Sequence, residues 1–240
     1  MIELRRPAGR FARVGHRGAS ALAPENTPEA FALAVELGCD MLEFDVLALT
    51  DGTIVVAHDR RASGAPGVVT LDAALAFCAE ELPGVGLQVD LKRRGIEAAV
   101  VDALRRHGVL ERSWVSGFDA DALRVVAELE PRLPRSFTLP RDRFGVSKRP
   151  PLAPLVRGVL RSIGSSLPRR VPDVLARARA TALTLHHSVA SEEAIARAHE
   201  LEAPVYVWTV DDPTLAERLV RWGADGIITN DPRVFTGLTT

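Results

Sequence analysis

Four places along the chain carry side chains able to do proton-transfer or metal chemistry. His16-Arg17-Gly18 follows the first apolar run, Glu43 and Asp45 sit two apart in the second, His58-Asp59 ends a third, and Asp90 stands two residues before Lys92. Residues two apart on a strand point to one face, about 7 Å apart along it. Glu43 and Asp45 therefore share a face, as do Asp90 and Lys92. Ionised carboxylates a few ångströms apart repel by about 4 kcal/mol at an effective dielectric constant near 20, so such a face needs a cation or a carboxyl that stays protonated. Glu43, Asp45 and Asp90, with no His or Cys among them, suit one hard divalent ion, Mg2+ or Ca2+. His16 and His58 flank that site as two imidazoles fit to act as general base and general acid on opposite sides of a phosphorus. Arg17 or Lys92 would neutralise the non-bridging oxygens. Phosphodiester cleavage is the reaction class that this set of groups fits.

These groups can meet only if the elements carrying them converge. Hydrophobic periodicity predicts strands at Ala12–Gly15, Met41–Val46, Val85–Leu91, Ser113–Ser116, Leu133–Phe137, Thr181–Leu185, Pro204–Trp208 and Gly226–Ile228. Helices are predicted between them, at Pro28–Leu37, Leu71–Glu80, Ile96–His107, Asp119–Leu129, Glu192–Leu201 and Pro213–Trp222. Asp51-Gly52 predicts a tight primed turn after the second strand, with a return arm over Thr53–Ala57 that brings His58 back toward Glu43 and Asp45. Eight strands alternating with helices over 240 residues fit a (β/α)8 TIM barrel better than an open sheet. The length suits one domain spanning residues 1–240. In such a barrel, chemistry belongs at the carboxyl ends of the strands, where His16, Asp45, Asp90 and Trp208 fall. Trp208, closing the seventh strand, either fills core or packs against substrate; His107 and His199 fall on helices and read as surface residues.

Composition narrows the partners. Thirty Lys plus Arg against thirty-one Asp plus Glu leave a net charge of −1, so there is no global basic field to hold nucleic acid. Charge is nevertheless uneven: residues 132–179 carry twelve basic side chains against Asp142 and Asp173. Prolines 140, 150, 151, 154, 168 and 172 interrupt that stretch, which predicts a loop-rich elaboration around one helix, read first as a solvated arginine-rich surface and alternatively as a weak attractor of anionic substrate or a membrane surface. Cys39 and Cys78 have neither disulfide-framework nor zinc spacing and read as buried thiols. With no apolar secretory segment in residues 1–13, cytoplasmic location is the expectation.

The strings His16-Arg17-Gly18, Glu25-Asn26-Thr27, Glu43-Phe44-Asp45-Val46, Thr50-Asp51-Gly52, His58-Asp59, Trp208-Thr209-Val210 and Asp225 to Pro232 together resemble the glycerophosphodiester phosphodiesterase family, in family order and over nearly the whole chain. The resemblance implies a TIM barrel that hydrolyses glycerophosphodiesters to glycerol 3-phosphate and an alcohol. It implies a divalent cation held by Glu43, Asp45 and Asp90, an acid/base pair in His16 and His58, and phosphate contacts from Arg17 and Lys92, with Trp208 against the substrate. Two departures stand out: relatives mostly carry glutamate where Asp90 stands, and only residues 60–89 separate Asp59 from Asp90, so no large cap domain is expected. Alternative expectations are a lysophospholipase D, a sphingomyelinase D-like lipid phosphodiesterase, or a non-catalytic barrel that binds phosphoesters.

Overall fold

Local sequence signals start most elements where they are observed. In the computed structural model, which describes residues 1–7, 9–64, 67–140 and 153–238, β1 (Ala12–His16) leads through a turn into α1 (Pro28–Glu36). Thr27 caps that helix, its hydroxyl accepting from the Ala30 amide at 3.2 Å, with proline at the first helical position. β2 (Met41–Ala48) is buried along almost its whole length, as a strand sandwiched between helices and barrel interior must be. An antiparallel extension of β3 (Ile54–Val56) and β4 (Val69–Thr70) follows, then α2 (Leu71–Glu81) and β5 (Gly86–Leu91).

The alternation continues through α3 (Glu97–Arg106), β6 (Ser113–Gly117), α4 (Ala120–Leu129), β7 (Arg135–Leu139), α5 (Ala153–Ala178), β8 (Ala182–His186), α6 (Glu192–His199), β9 (Val205–Trp208), α7 (Pro213–Arg221) and β10 (Gly226–Thr229). Thr70, Asp119, Ser191 and Asp212 cap α2, α4, α6 and α7 with side-chain oxygens. Strands β1, β2, β5, β6, β7, β8, β9 and β10 each pair in parallel with their neighbours, and β10 returns to pair with β1. The result is the expected eight-stranded barrel with helices between strands.

Two apolar layers hold it. The larger lies between sheet and helices and includes Phe31, Phe44, Leu87, Val115 and Leu219. The smaller sits within the barrel around Val14, Met41, Trp114, Tyr206 and Ile228. Trp114 and Tyr206 rings lie 4.7 Å apart there, and the Tyr206 hydroxyl donates to the Leu4 carbonyl at 3.1 Å, so the N-terminal segment seals the end opposite the strand carboxyl termini. This dry plug confines polar chemistry to the other mouth.

Three expectations need correction. A primed turn requires positive φ at both central residues, but of Asp51 and Gly52 only Gly52 (φ 89°) has it. Hydrogen bonds from Gly52 N to Leu49 O and from Leu49 N to Thr53 O close a three-residue loop instead, the Asp51 carboxylate accepting from Thr53 N. The strand predicted at Leu133–Phe137 runs two residues later, because Pro134 has no amide proton to give a ladder. Most substantially, residues 153–178 form one helix, α5, running through Pro168 and Pro172. Each internal proline costs about 3 kcal/mol, yet Leu167, Val171, Leu175 and Ala178 bury one continuous stripe, and that packing prevails. The basic stretch is also less uniformly a surface than its composition suggests, since Arg135 is buried and donates to the carbonyls of Pro131, Leu133 and Arg179. The remainder of that stretch, residues 141–152, lies outside the described residues.

Candidate active site

Register alone brings the sequence-predicted groups together. Across the β1–β2 pair His16 stands beside Glu43, and across β2–β5 Asp45 stands beside Asp90. Side chains of that parity point into the barrel, so Glu43, Asp45 and Asp90 present carboxylate oxygens within 4.8 Å of one another, all buried. Arg17 follows β1 in the left-handed region (φ 56°), a conformation unfavourable for arginine and held by its contacts. Its amide donates to Glu43 Oε2 at 3.1 Å, its Nη1 to Glu25 at 2.7 Å, and its Nε lies 2.8 Å from Asp45 Oδ2. Gly18 beside it has φ 80°, and a Cβ there would fall 2.5 Å from the Ala30 backbone. Glycine is thus required for the turn to pass over α1.

Asp45 is the most heavily compensated group. Lys92 Nζ lies 2.5 Å from Asp45 Oδ1 and 2.6 Å from Asp90 Oδ2, while Asn26 donates to Asp45 Oδ2 at 3.1 Å and accepts from the Asp45 amide. The Asn26 amide also donates to the Arg17 carbonyl at 3.1 Å, so the residue braces the turn through its backbone while its side chain serves Asp45. Burial pushes the Asp45 carboxyl upward, yet Lys92 and Arg17 outweigh it and hold the group below the usual carboxylate range. Burial and the charge of Asp45 push Glu43 the other way, well above that range. Lys92 is held above its ordinary value because Asp90, Asp45 and Glu43 outweigh its burial. Three carboxylates thus face two side-chain cations, and Glu43 is the one that burial and Asp45 push upward despite those cations. Hard oxygen donors, mutual proximity and one uncompensated acid fit a divalent cation.

His16 Nε2 lies 3.8 Å from Glu43 Oε2, and His16 Nδ1 is hydrogen-bonded to Asn230 Oδ1 at 2.7 Å. Burial, with Arg17 beside it, pushes the His16 imidazole down to about 4, so it is neutral near pH 7. His58, brought back by β3, lines the same cavity as His16, Arg17, Glu43, Asp90, Lys92 and Trp208. Trp208 does not simply fill core: its ring meets Phe118 and His186 edge-on (centroids 5.9 and 5.1 Å) and forms a wall of that cavity. His107 and His199 lie outside it, each hydrogen-bonded to an aspartate, Asp72 and Asp225.

Several groups here had no place in the sequence reading. Ser116 donates to Asp90 Oδ1 at 2.6 Å and accepts from Gln88 Nε2 at 3.0 Å. Gln88 Oε1, Thr138 Oγ1 and Trp208 Nε1 are buried without a partner among the described residues, and all three residues line the cavity. The available signal was parity: Gln88 precedes Asp90 by two in an otherwise apolar strand. Asn230, which follows β10 at the same mouth, lay within a quoted string but had no assigned role.

Comparison with known proteins agrees with this geometry. The sequence pattern of the Glycerophosphoryl diester phosphodiesterase family matches residues 16–87 and 80–234. A glycerophosphodiester phosphodiesterase of Caldanaerobacter subterraneus subsp. tengcongensis is 28% identical over 260 residues, covering 94% of this chain and 96% of that one. The crystal structure of a glycerophosphodiester phosphodiesterase from Parabacteroides distasonis superposes with a TM-score of 0.74 at 21% identity, covering 97% of this chain and 98% of that one. The structure of an Oleispira antarctica phosphodiesterase in complex with the product sn-glycerol-3-phosphate superposes with a TM-score of 0.72 at 22% identity, covering 95% of this chain and 96% of that one. With the family pattern spanning nearly all of the barrel and its mouth, the chain belongs to the glycerophosphoryl diester phosphodiesterase family and is a phosphodiester-hydrolysing enzyme on a TIM barrel.

Proposed function

We propose that the protein, acting as one domain over residues 1–240, hydrolyses small glycerophosphodiesters to glycerol 3-phosphate and an alcohol. The observation that carries this is the convergence of two imidazoles, two side-chain cations and the carboxylates of Glu43 and Asp90 on one cavity at the strand carboxyl ends, with the fully buried carboxylate of Asp45 within 4.8 Å of both acids. Glu43, Asp45 and Asp90 would hold one divalent cation, Mg2+ or Ca2+, which when bound supplies Lewis-acid polarisation of a non-bridging phosphoryl oxygen. Arg17 and Lys92 orient the phosphodiester and offset its charge. One of His16 and His58 takes the proton of the attacking oxygen, either water or the neighbouring glycerol hydroxyl whose cyclic phosphate water then opens, as that oxygen bonds to phosphorus. The other gives a proton to the departing alcohol oxygen as the ester bond breaks, so protons balance across the step. The unpartnered Gln88 Oε1, Thr138 Oγ1 and Trp208 Nε1 supply polar contacts for a hydroxylated substrate. Free, buried Cys39 and Cys78, whose thiols burial pushes up to about 12, suit a reducing cytoplasm.

A second reading, action on lipid headgroups at a membrane surface, has its own observation. No helix among the described residues is long and apolar enough to cross a membrane. Gly164 of α5 packs against Val189, just beyond the carboxyl end of β8. The preceding residues of α5, 153–163, pack Leu160 and Ile163 against the core. They expose Leu155 (63%) and Val159 (51%), one turn apart, together with Arg157 and Arg161, a pattern suited to an anionic lipid interface.

Phosphorus NMR of products from glycerophosphocholine and lysophosphatidylcholine tests both, after EDTA treatment and with Mg2+ or Ca2+ restored separately. Release of glycerol 3-phosphate from the first supports the leading reading. Preferential turnover of the second supports a lysophospholipase D or sphingomyelinase D-like activity, and binding of either without turnover leaves a phosphoester-binding barrel.

A further inference from the structure

The environment of His16 behind its ring is more fully determined than its front. Asp211, in the loop after β9, accepts the Asn230 amide N–H at 2.8 Å and the Thr229 hydroxyl at 2.9 Å through Oδ1, and Asn230 Nδ2 at 2.7 Å through Oδ2. An ionised carboxylate only accepts, so the nitrogen end of the Asn230 side chain must face Asp211 and the oxygen end must face His16. Ser20 Oγ, donating to Asn230 Oδ1 at 3.0 Å, places the oxygen on the same side. The Ala21 amide donates to the Asn230 carbonyl at 3.0 Å and fixes the backbone. Asn230 Oδ1 carries no proton, so at a separation of 2.7 Å His16 Nδ1 must be the donor.

We propose that Asp211 and Asn230 are positioning residues that keep the His16 ring proton on Nδ1, so that the unprotonated Nε2 of the neutral tautomer presents its lone pair to the reacting group. A neutral imidazole has one N–H, and once Nδ1 keeps it Nε2 can only accept. Among the two imidazoles this makes His16 the first base, taking the proton of the attacking hydroxyl, and leaves His58 as the donor to the departing oxygen. Asp211 acts at one remove: its charge polarises the amide and strengthens the Asn230 oxygen as acceptor without placing a carboxylate against the ring. The assignment of a first base rests on the phosphodiesterase reading; the tautomer does not.

Long-range proton–nitrogen NMR of 15N-histidine protein, in EDTA and in Mg2+, reads the tautomer directly, with the His16 signals identified by their loss in His16→Gln. The expected wild-type spectrum has a protonated Nδ1 and a bare Nε2. Asp211→Ala and Asn230→Ala should move the population toward Nε2–H and lower kcat about 10- to 100-fold, with KM within about twofold. The exchange variant, Asp211→Asn with Asn230→Asp, keeps an acceptor at His16 and a donor behind it, so tautomer and kcat should largely return. That return separates a positional role from simple loss of folding. An Nε2–H wild-type ring, alanine variants that keep the Nδ1–H form, or a tautomer shift with kcat unchanged would each overturn the proposal. Absence of turnover in the wild type would defeat the phosphodiesterase reading, while the spectra would still decide the tautomer.

Discussion

Asp45 and Asp90 stand side by side on neighbouring barrel strands, with Lys92 Nζ 2.5 Å from one and 2.6 Å from the other. Removing the ammonium in Lys92→Met leaves two buried carboxylates facing each other with only Arg17 and hydrogen bonds to compensate them. Breaking a buried pair from one side costs about 3 kcal/mol or more. The variant should melt well below wild type in EDTA and regain more stability than wild type on adding Mg2+ or Ca2+, as read by thermal denaturation. Equal cation-induced shifts in both proteins would argue against a cation at these carboxylates.

Replacing His16 or His58 with alanine removes one end of the proton-transfer pair. Turnover should fall by about 100-fold or more in each, with circular dichroism unchanged, because both side chains line a cavity and neither belongs to the apolar core. Wild-type turnover in either variant would end the acid/base assignment.

Glu43→Gln and Asp90→Asn each remove a charge from the three-carboxylate cluster while conserving shape. Equilibrium dialysis with Mn2+ or Ca2+ should show about tenfold or greater weakening for either variant. Unchanged affinity would place any bound ion elsewhere.

Burial, with His187 beside it, pushes His186 down to about 4. Its folded value lies below the ordinary value near 6.5, so the folded state binds fewer protons than the unfolded chain between those limits. This contribution to stability is complete above pH 6.5 and is lost as pH falls toward about 4. His186→Gln should show a shallower fall in melting temperature across that window than wild type, and an identical slope would remove His186 from the acid response.

Gly18→Ala should be destabilising by about 2 to 3 kcal/mol, since the new methyl meets the Ala30 backbone and the residue must keep a positive φ. Melting should drop by about 5 to 10 °C for a chain of this size. The Arg17 contacts to Glu25 and Asp45 should loosen with it, visible as a larger KM.

The barrel and most of its site were legible because they depend on local rules. Alternation along β2 and β5 put Glu43, Asp45, Asp90 and Lys92 on inward or rim positions, and strand ends marked where His16 and Trp208 would open to solvent. Periodicity could not show that α5 passes through Pro168 and Pro172, because local propensity opposes the helix and only its buried stripe against the barrel sustains it.

Composition and spacing by themselves determined the eightfold alternation, the inward carboxylates and the two imidazoles, since each follows from side-chain direction along a strand or from a cap at a helix start. Only the tertiary structure decided which way each carboxyl is pushed and which partners the two nitrogens of His16 meet. Those depend on partners distant in the chain: Asn230 reaches His16 across 214 positions because β10 closes on β1. Lys92 neutralises Asp45 and Asp90 together because β2 and β5 lie in one register. Proton placement is set by charge and hydrogen bonding at a few ångströms, and those distances come into being when the barrel closes.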